Sequence, residues 1–316
     1  MEIGLSQTSP RGVALWMVLV VTPALFSLNM LISRLVAGWL PPVQLTFWRW
    51  FLTALFAAVW VIPRIRETLP VLRREWRRLL LLGSIGMSVC GLSAYEAGHT
   101  TSTANIALIY ASSPVMMVIM EWLRGKERIG TMQGFGVALC LTGVLGIVAR
   151  GDPRVLADMS FVAGDLWALS GAIGWAAYSY LLRYMPTELG FSVRLPALCF
   201  GGAVAIAPFA LVEGLGTGAF PFSTDSMAML ALTVLFASYA SYIAYAALQR
   251  MTSVSFAGLA VYVSPFYAAL YGWLFVNESL RGYHLFGAAL VLAGVWLASR
   301  QGAPVKSLST SAAGGQ

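Results

Sequence analysis

Ten apolar runs follow one another along this chain, each close to the length an α-helix needs to cross a hydrocarbon layer. They lie near 12–32, 41–62, 79–98, 104–121, 132–149, 161–182, 195–212, 227–247, 254–276 and 284–299. A spanning helix takes about 20 residues for roughly 30 Å of lipid core. Turn chemistry separates most of the runs: Pro41-Pro42, the Pro63 to Arg78 stretch, Gly125, Gly151-Asp152-Pro153, Gly214 to Gly218 and Pro221. No connection is large enough for a soluble domain. Of the 316 residues 59% are hydrophobic and 10% charged, where a soluble domain carries about 25% charged residues. So many apolar side chains cannot all be hidden in one or two water-surrounded cores. The expected fold is all-α and integral to a membrane, with the lipid bilayer as solvent. The first run is too long for a signal peptide and lacks a small-x-small cleavage site, so it is expected to be retained.

Orientation follows from Lys and Arg in the short connections. With a cytoplasmic N-terminus, the inner side holds Arg11; Arg64, Arg66, Arg73, Arg74, Arg77 and Arg78; Arg124, Lys126 and Arg128; Arg183 and Arg194; Arg250; and Arg300 and Lys306. The outer side then holds only Arg34, Arg150, Arg154 and Arg281. Both termini are expected inside, with 303–316 a disordered cytoplasmic tail. The net charge of +7 is therefore a topology signal and does not point to nucleic acid, which wants a basic patch on a soluble face.

The chain also resembles itself. Shifted onto the second half, Leu108, Ser113, Pro114, Trp122, Leu123, Glu127, Phe135, Gly136, Ala138, Leu139, Leu141, Gly143 and Val144 fall on Leu259, Ser264, Pro265, Trp273, Leu274, Glu278, Phe286, Gly287, Ala289, Leu290, Leu292, Gly294 and Val295. Slightly different offsets lay Tyr95 on Tyr245, Arg34 on Arg183 and Phe26 on Trp175. Two five-helix units are expected, 1–150 and 151–302. A unit with an odd number of crossings enters the membrane from opposite sides in its two copies, so the halves are inverted. Arg124-Gly125-Lys126-Glu127-Arg128 is rich in cations and its counterpart Phe275-Val276-Asn277-Glu278-Ser279 has none, as homologous loops in different compartments would be. Inverted repeats imply alternating access around a site near the midplane.

The proline, Trp-Leu, glutamate and G-x-A-L-x-L-x-G-V series from Pro114 to Val144, present again from Pro265 to Val295, resembles the EamA-type branch of the drug/metabolite transporter superfamily. The resemblance implies ten transmembrane helices as two inverted five-helix repeats, a bacterial inner-membrane location, and secondary transport, most often export, of small metabolites such as amino acids. The partner it implies is a small-molecule metabolite; the assembly is a monomer or homodimer. An importer of a vitamin, nucleoside or other scarce metabolite is the alternative within transport. A polytopic membrane enzyme or accessory subunit is the competing class. The first copy departs from the second by carrying Glu121 before Trp122, where the second has Gly272.

The residues do not suggest an enzyme. Cys90, Cys140 and Cys199 are far apart, His99 and His284 are each alone, and neither a metal site nor a cofactor is expected. Gly125-Lys126 lacks the upstream glycine of a phosphate-binding loop.

A substrate pathway is expected along Phe26, Asn29, Tyr95, Tyr110, Trp175, Tyr178, Ser238, Tyr242 and Tyr262. Ser238, Tyr242 and Tyr245 share one helical face, as do Trp175 and Tyr178. Such a lining suits a small amphipathic or zwitterionic solute, although the same aromatics also serve as interfacial belts. Pro114 and Pro265 are candidate hinges, since each removes a helical hydrogen bond. Arg49, between Trp48 and Trp50 in an apolar run, must face the bundle interior. It either draws a substrate carboxylate or braces its span, and bracing is the plainer reading. Glu96, His99 and Asp165 are the remaining charge or coupling candidates, as carboxylates able to take a proton or simple entrance groups.

Overall fold

The computed structural model describes residues 10–124, 130–157, 161–252 and 263–298, and every regular element among them is helical. Helix α1 (Pro10–Leu35) leads through a turn at Gly38, whose φ of 85° favours glycine, into α2 (Pro42–Ala58). The first turn of α2 leaves N–H groups without helical partners. Those of Val43 and Gln44 donate to the Glu213 carboxylate at 3.3 and 2.8 Å.

Helix α3 (Ile65–Gly83) runs through a π-helical segment, Ser84–Val89, into α4 (Cys90–Gly98). The stretch from Pro63 to Arg78, expected as a connection, is thus helical from Ile65 onward. Glu75, Leu79 and Leu82 are buried at three- and four-residue spacing, while Arg73, Arg74, Arg77 and Arg78 are exposed. This is an amphipathic helix whose charges disguise its period.

Ser102 caps α5 (Thr103–Tyr110), its Oγ accepting from Asn105 N–H at 3.1 Å. The span breaks at Ala111-Ser112 and resumes as α6 (Ser113–Leu123). Pro114 therefore stands in the first turn of a helix, where its missing N–H costs nothing. Pro265 has the same place in the helix Ser264–Val276. The discontinuity expected at Pro114 lies just upstream of it.

The remaining elements are α7 (Thr131–Val148), a short α8 (Pro153–Ala157), α9 (Ala163–Tyr184), α10 (Phe191–Thr217), α11 (Thr224–Leu232), a second π-helical segment (Thr233–Ala240), α12 (Ser241–Met251), α13 (Ser264–Val276) and α14 (Gly282–Ala298). Among the described residues six helical stretches are long and apolar enough to cross a membrane: Val13–Leu35, Ile65–Gly98, Thr103–Leu123, Thr131–Val148, Phe191–Thr217 and Thr224–Met251. Helices α2 and α14 are shorter, at 17 residues each. Large apolar side chains such as Phe209, Leu211 and Leu215 face outward, as a lipid-facing surface requires.

Helix pairing follows the repeat. Helix α7 crosses α14, and α2 crosses α10; α1 packs on α13 as α9 packs on α6, and α4 packs on α9 as α12 packs on α1. Exchanging every helix for its counterpart in the other copy leaves this set unchanged. Helices α7 and α14 run antiparallel, with Gly136 against Gly294 and Ala298, and Gly143 against Leu290 and Val291. A methyl group on Gly136 would come within 2.5 Å of the Ala298 nitrogen, so the crossing depends on glycine.

Candidate functional site

Arg49 sits midway along α2 and is only 4% exposed. Its Nε donates to Ser238 Oγ at 2.7 Å, and Nη1 donates to Asn29 Oδ1 at 2.5 Å and Tyr95 Oη at 3.3 Å. Nη2 reaches the Ala237 carbonyl at 3.4 Å. The guanidinium lies 4.2 Å from the Trp50 ring centroid and 5.8 Å from that of Tyr95. Every hydrogen-bond acceptor here is neutral. Among the described residues the ion pairs involve Arg34, Arg74 and Arg183, and no carboxylate meets Arg49. A guanidinium stays charged in proteins. Among the described residues the site therefore carries an uncompensated positive charge, held by dipoles supplied from both copies of the repeat.

The two π-helical segments build this arrangement. They occupy matching positions in the two copies, and a π turn interrupts the ordinary helical ladder. One carbonyl from each is turned to account by neighbouring residues of α2. Trp50 Nε1 donates to the Met87 carbonyl at 2.7 Å, and Arg49 takes the Ala237 carbonyl. Arg49 and Trp50 thus fasten α2 to both copies at once.

Around the polar group stands an aromatic wall. Phe26 lies 5.8 Å from Tyr242 and 5.9 Å from Tyr245, and Trp50 lies 6.3 Å from Tyr242, all between ring centroids. Trp175 and Tyr178 pair at 5.4 Å and pack with Trp50 and Tyr242 in one cluster. Of the residues expected along a pathway, Asn29, Tyr95 and Ser238 bond to Arg49 directly, and Phe26, Tyr242, Trp175 and Tyr178 belong to the aromatic group that includes Trp50. Tyr110 is turned aside, donating to the Cys90 carbonyl at 2.8 Å. Tyr262 lies outside the described residues.

The other charged candidates do not join this group. Half-buried Glu96 and exposed His99 lie near the end of α4, where His99 shares a recess with Pro41, Pro42 and Glu213. Asp165 is fully buried in a separate polar cluster with Thr101 and Asn105. Two features escaped sequence reasoning. Trp50 was signalled by its place beside Arg49, whereas the π segments leave no compositional mark.

The model of the EamA-like transporter family matches this chain twice, over residues 13–149 and 162–300. The chain belongs to the EamA-like transporter family. It is a multi-pass membrane protein and a transporter of the drug/metabolite superfamily. A transporter of Archaeoglobus fulgidus, itself uncharacterised, is 25% identical over 82% of this chain and 88% of its own length. An S-adenosylmethionine/S-adenosylhomocysteine transporter of Chlamydia trachomatis serovar L2 is 21% identical over 72% of each chain. One solved crystal structure superposes with a TM-score of 0.58 at 18% identity, over 91% of this chain and 97% of that one, which shows a shared fold.

Proposed function

We propose that this EamA-like protein is a bacterial inner-membrane secondary transporter that exports amino acids or related small metabolites. It alternates between two inverted five-helix units, with both termini in the cytoplasm. The observation that carries the substrate reading is the uncompensated Arg49. A solute carboxylate exchanging for the half-buried Asn29 oxygen on Nη1 would supply the missing charge and make a charge-assisted bond where a neutral one now stands. Phe26, Trp175, Tyr178 and Tyr242 would cover the apolar part of the solute. The exchange symmetry of the helix pairing and the antiparallel crossing of α7 on α14 support inversion. The helix break just before Pro114, and Pro265 in the first turn of α13, would serve as hinges.

A specific observation favours a second reading, import of a nucleoside-bearing or similarly scarce metabolite. The ligands named for the chlamydial relative carry a nucleoside as well as an amino-acid end. Counterflow separates transport from the other classes. Proteoliposomes containing only this protein and preloaded with mixed amino acids are expected to take up labelled amino acid saturably. Saturable uptake of nucleosides alone would favour the second reading, and no flux for any solute would remove both.

A further inference from the structure

Besides the Arg49 site, one buried carboxyl group makes no ion pair among the described residues. Asp165, in the first turn of α9, is 0% exposed. Its Oδ1 accepts from Thr101 Oγ1 and from Asn105 Nδ2, the latter at 3.2 Å. Asn105 Nδ2 also donates to Thr101 Oγ1 at 3.1 Å. These contacts use the hydroxyl hydrogen of Thr101 and both amide hydrogens of Asn105. Two acceptors in the same cluster are left without a partner among the described residues: Asp165 Oδ2 and Asn105 Oδ1. The cluster is short of hydrogen, not of oxygen. An ionised carboxylate in this place combines the cost of a buried charge with that of a buried unpaired acceptor.

We propose that Asp165, with Thr101 and Asn105, is a proton-binding site, loaded when this end of the bundle is closed. One proton on Oδ2 removes the buried charge and adds the donor the cluster lacks. No other co-reactant is needed: the proton comes from water and returns to it.

The location suits a gate that senses protons. Asp165 belongs to the second copy of the repeat and Asn105 to the first, so the site lies where α9 meets α5, and Gly164 N–H donates to Thr100 Oγ1 at 2.7 Å beside it. Separation of the two copies here would admit water and allow ionisation; reclosure requires the proton. The charged and titratable groups around it are few. Arg150, just past α7, and Tyr283, on α14, act on Asp165 through space. On α4, Glu96 interacts with His99 and with Glu213. Tyr110 of α5 is bonded to the Cys90 carbonyl, and Glu121 of α6 pairs with Arg183. Resting on the proposed orientation, which puts this end outside, proton uptake from outside and closure of the outside become one event. Opening of this end returns the proton to the same side, so the site sets how readily the outer end closes at a given outer pH and carries no proton across the membrane.

Two readouts test the site, one independent of transport. Infrared difference spectra of the purified protein, taken across a pH titration, are expected to show a buried carboxylic C=O band near neutral pH that Asp165→Asn removes. Thr101→Val, which keeps the carboxyl but deletes a donor to its ionised form, is expected to hold that band to higher pH. In proteoliposomes, counterflow by the unaltered protein should slow as the pH is raised, and Asp165→Asn, which cannot ionise, should retain counterflow and lose that dependence. A carboxylate ionised throughout the titration would overturn the proposal, as would the same pH dependence of counterflow in the variant and the unaltered protein. Absence of all flux in the unaltered protein would fail the transport reading and leave the infrared result to decide the site.

Discussion

Arg34 Nε donates to Glu278 Oε1 at 3.1 Å, tying α1 to the loop beyond α13, and the repeat counterpart Arg183 donates to Glu121 Oε1 at 2.8 Å, tying α9 to α6. The carboxylates come from different positions. A Cβ at Gly272 would meet Glu278 Oε2 at 2.5 Å, so the absence of a side chain there lets Glu278 fold back. Its Oε2 then also accepts from Thr103 N–H at 2.9 Å. In the first copy Glu121 occupies the Gly272 position and brings its carboxylate from the helix itself. The mismatch between the copies is two routes to one contact, a tie between the repeats near each end of the bundle.

If the ends open in turn, each tie holds one closed state. Glu278→Gln is expected to lower the rate of counterflow and to raise the reactivity of a cysteine placed at Ser33, buried beside Arg34. A partly exposed pair is worth about 1 kcal/mol or less, which shifts an open-to-closed ratio by roughly fivefold. Charge exchange, Arg34→Glu with Glu278→Arg, should recover part of the rate. Equal labelling in the variant and the unaltered protein would argue that the tie is decorative.

The aromatic wall makes a separate prediction. Trp175→Ala and Tyr178→Ala should each weaken saturable uptake, and raise KM more than they lower the maximal rate if the rings mainly cover bound solute. Unchanged KM in both variants would reassign them to packing.

The crossing of α7 on α14 is a stability feature. Gly136→Leu should lower the melting temperature of the purified protein, since overpacking a tight contact costs typically 1–3 kcal/mol. A neighbouring lipid-facing change, Phe135→Leu, should leave it nearly unmoved, because Phe135 is 61% exposed.

Inversion of the repeats is a claim about topology. A reporter inserted near Gly216 is expected to read external and one fused after Lys306 cytoplasmic. The opposite result at either site would break the inverted arrangement.

How much of this was legible in the sequence differs from feature to feature. The repeat was readable because packing at the α7 and α14 crossing demands the same glycines in both copies. Arg49 stood out as an anomaly, and Asn29, Tyr95 and Ser238 were separately marked as polar groups in apolar runs. That all three converge on one guanidinium depends on the tertiary packing of α1, α4 and the second π segment against α2, which no local pattern encodes. The π segments were invisible because an altered hydrogen-bond register changes no residue type. The helix from Ile65 was missed for a different reason: its arginines outweigh its apolar stripe. Glu121 was visible as a departure from its repeat counterpart, but its partner Arg183 emerged only from the fold.

The central claim is that Arg49 receives a carboxylate, and competition tests it most directly. Counterflow of a labelled amino acid should be inhibited by the same unlabelled amino acid and far less by its α-carboxamide. In Arg49→Gln that preference should disappear together with most of the flux, and Arg49→Lys should not restore it, because an ammonium lacks the planar fork that holds Asn29, Tyr95 and Ser238. Equal inhibition by acid and amide in the unaltered protein, or full preference retained in Arg49→Gln, would contradict the claim and leave Arg49 as a brace for α2.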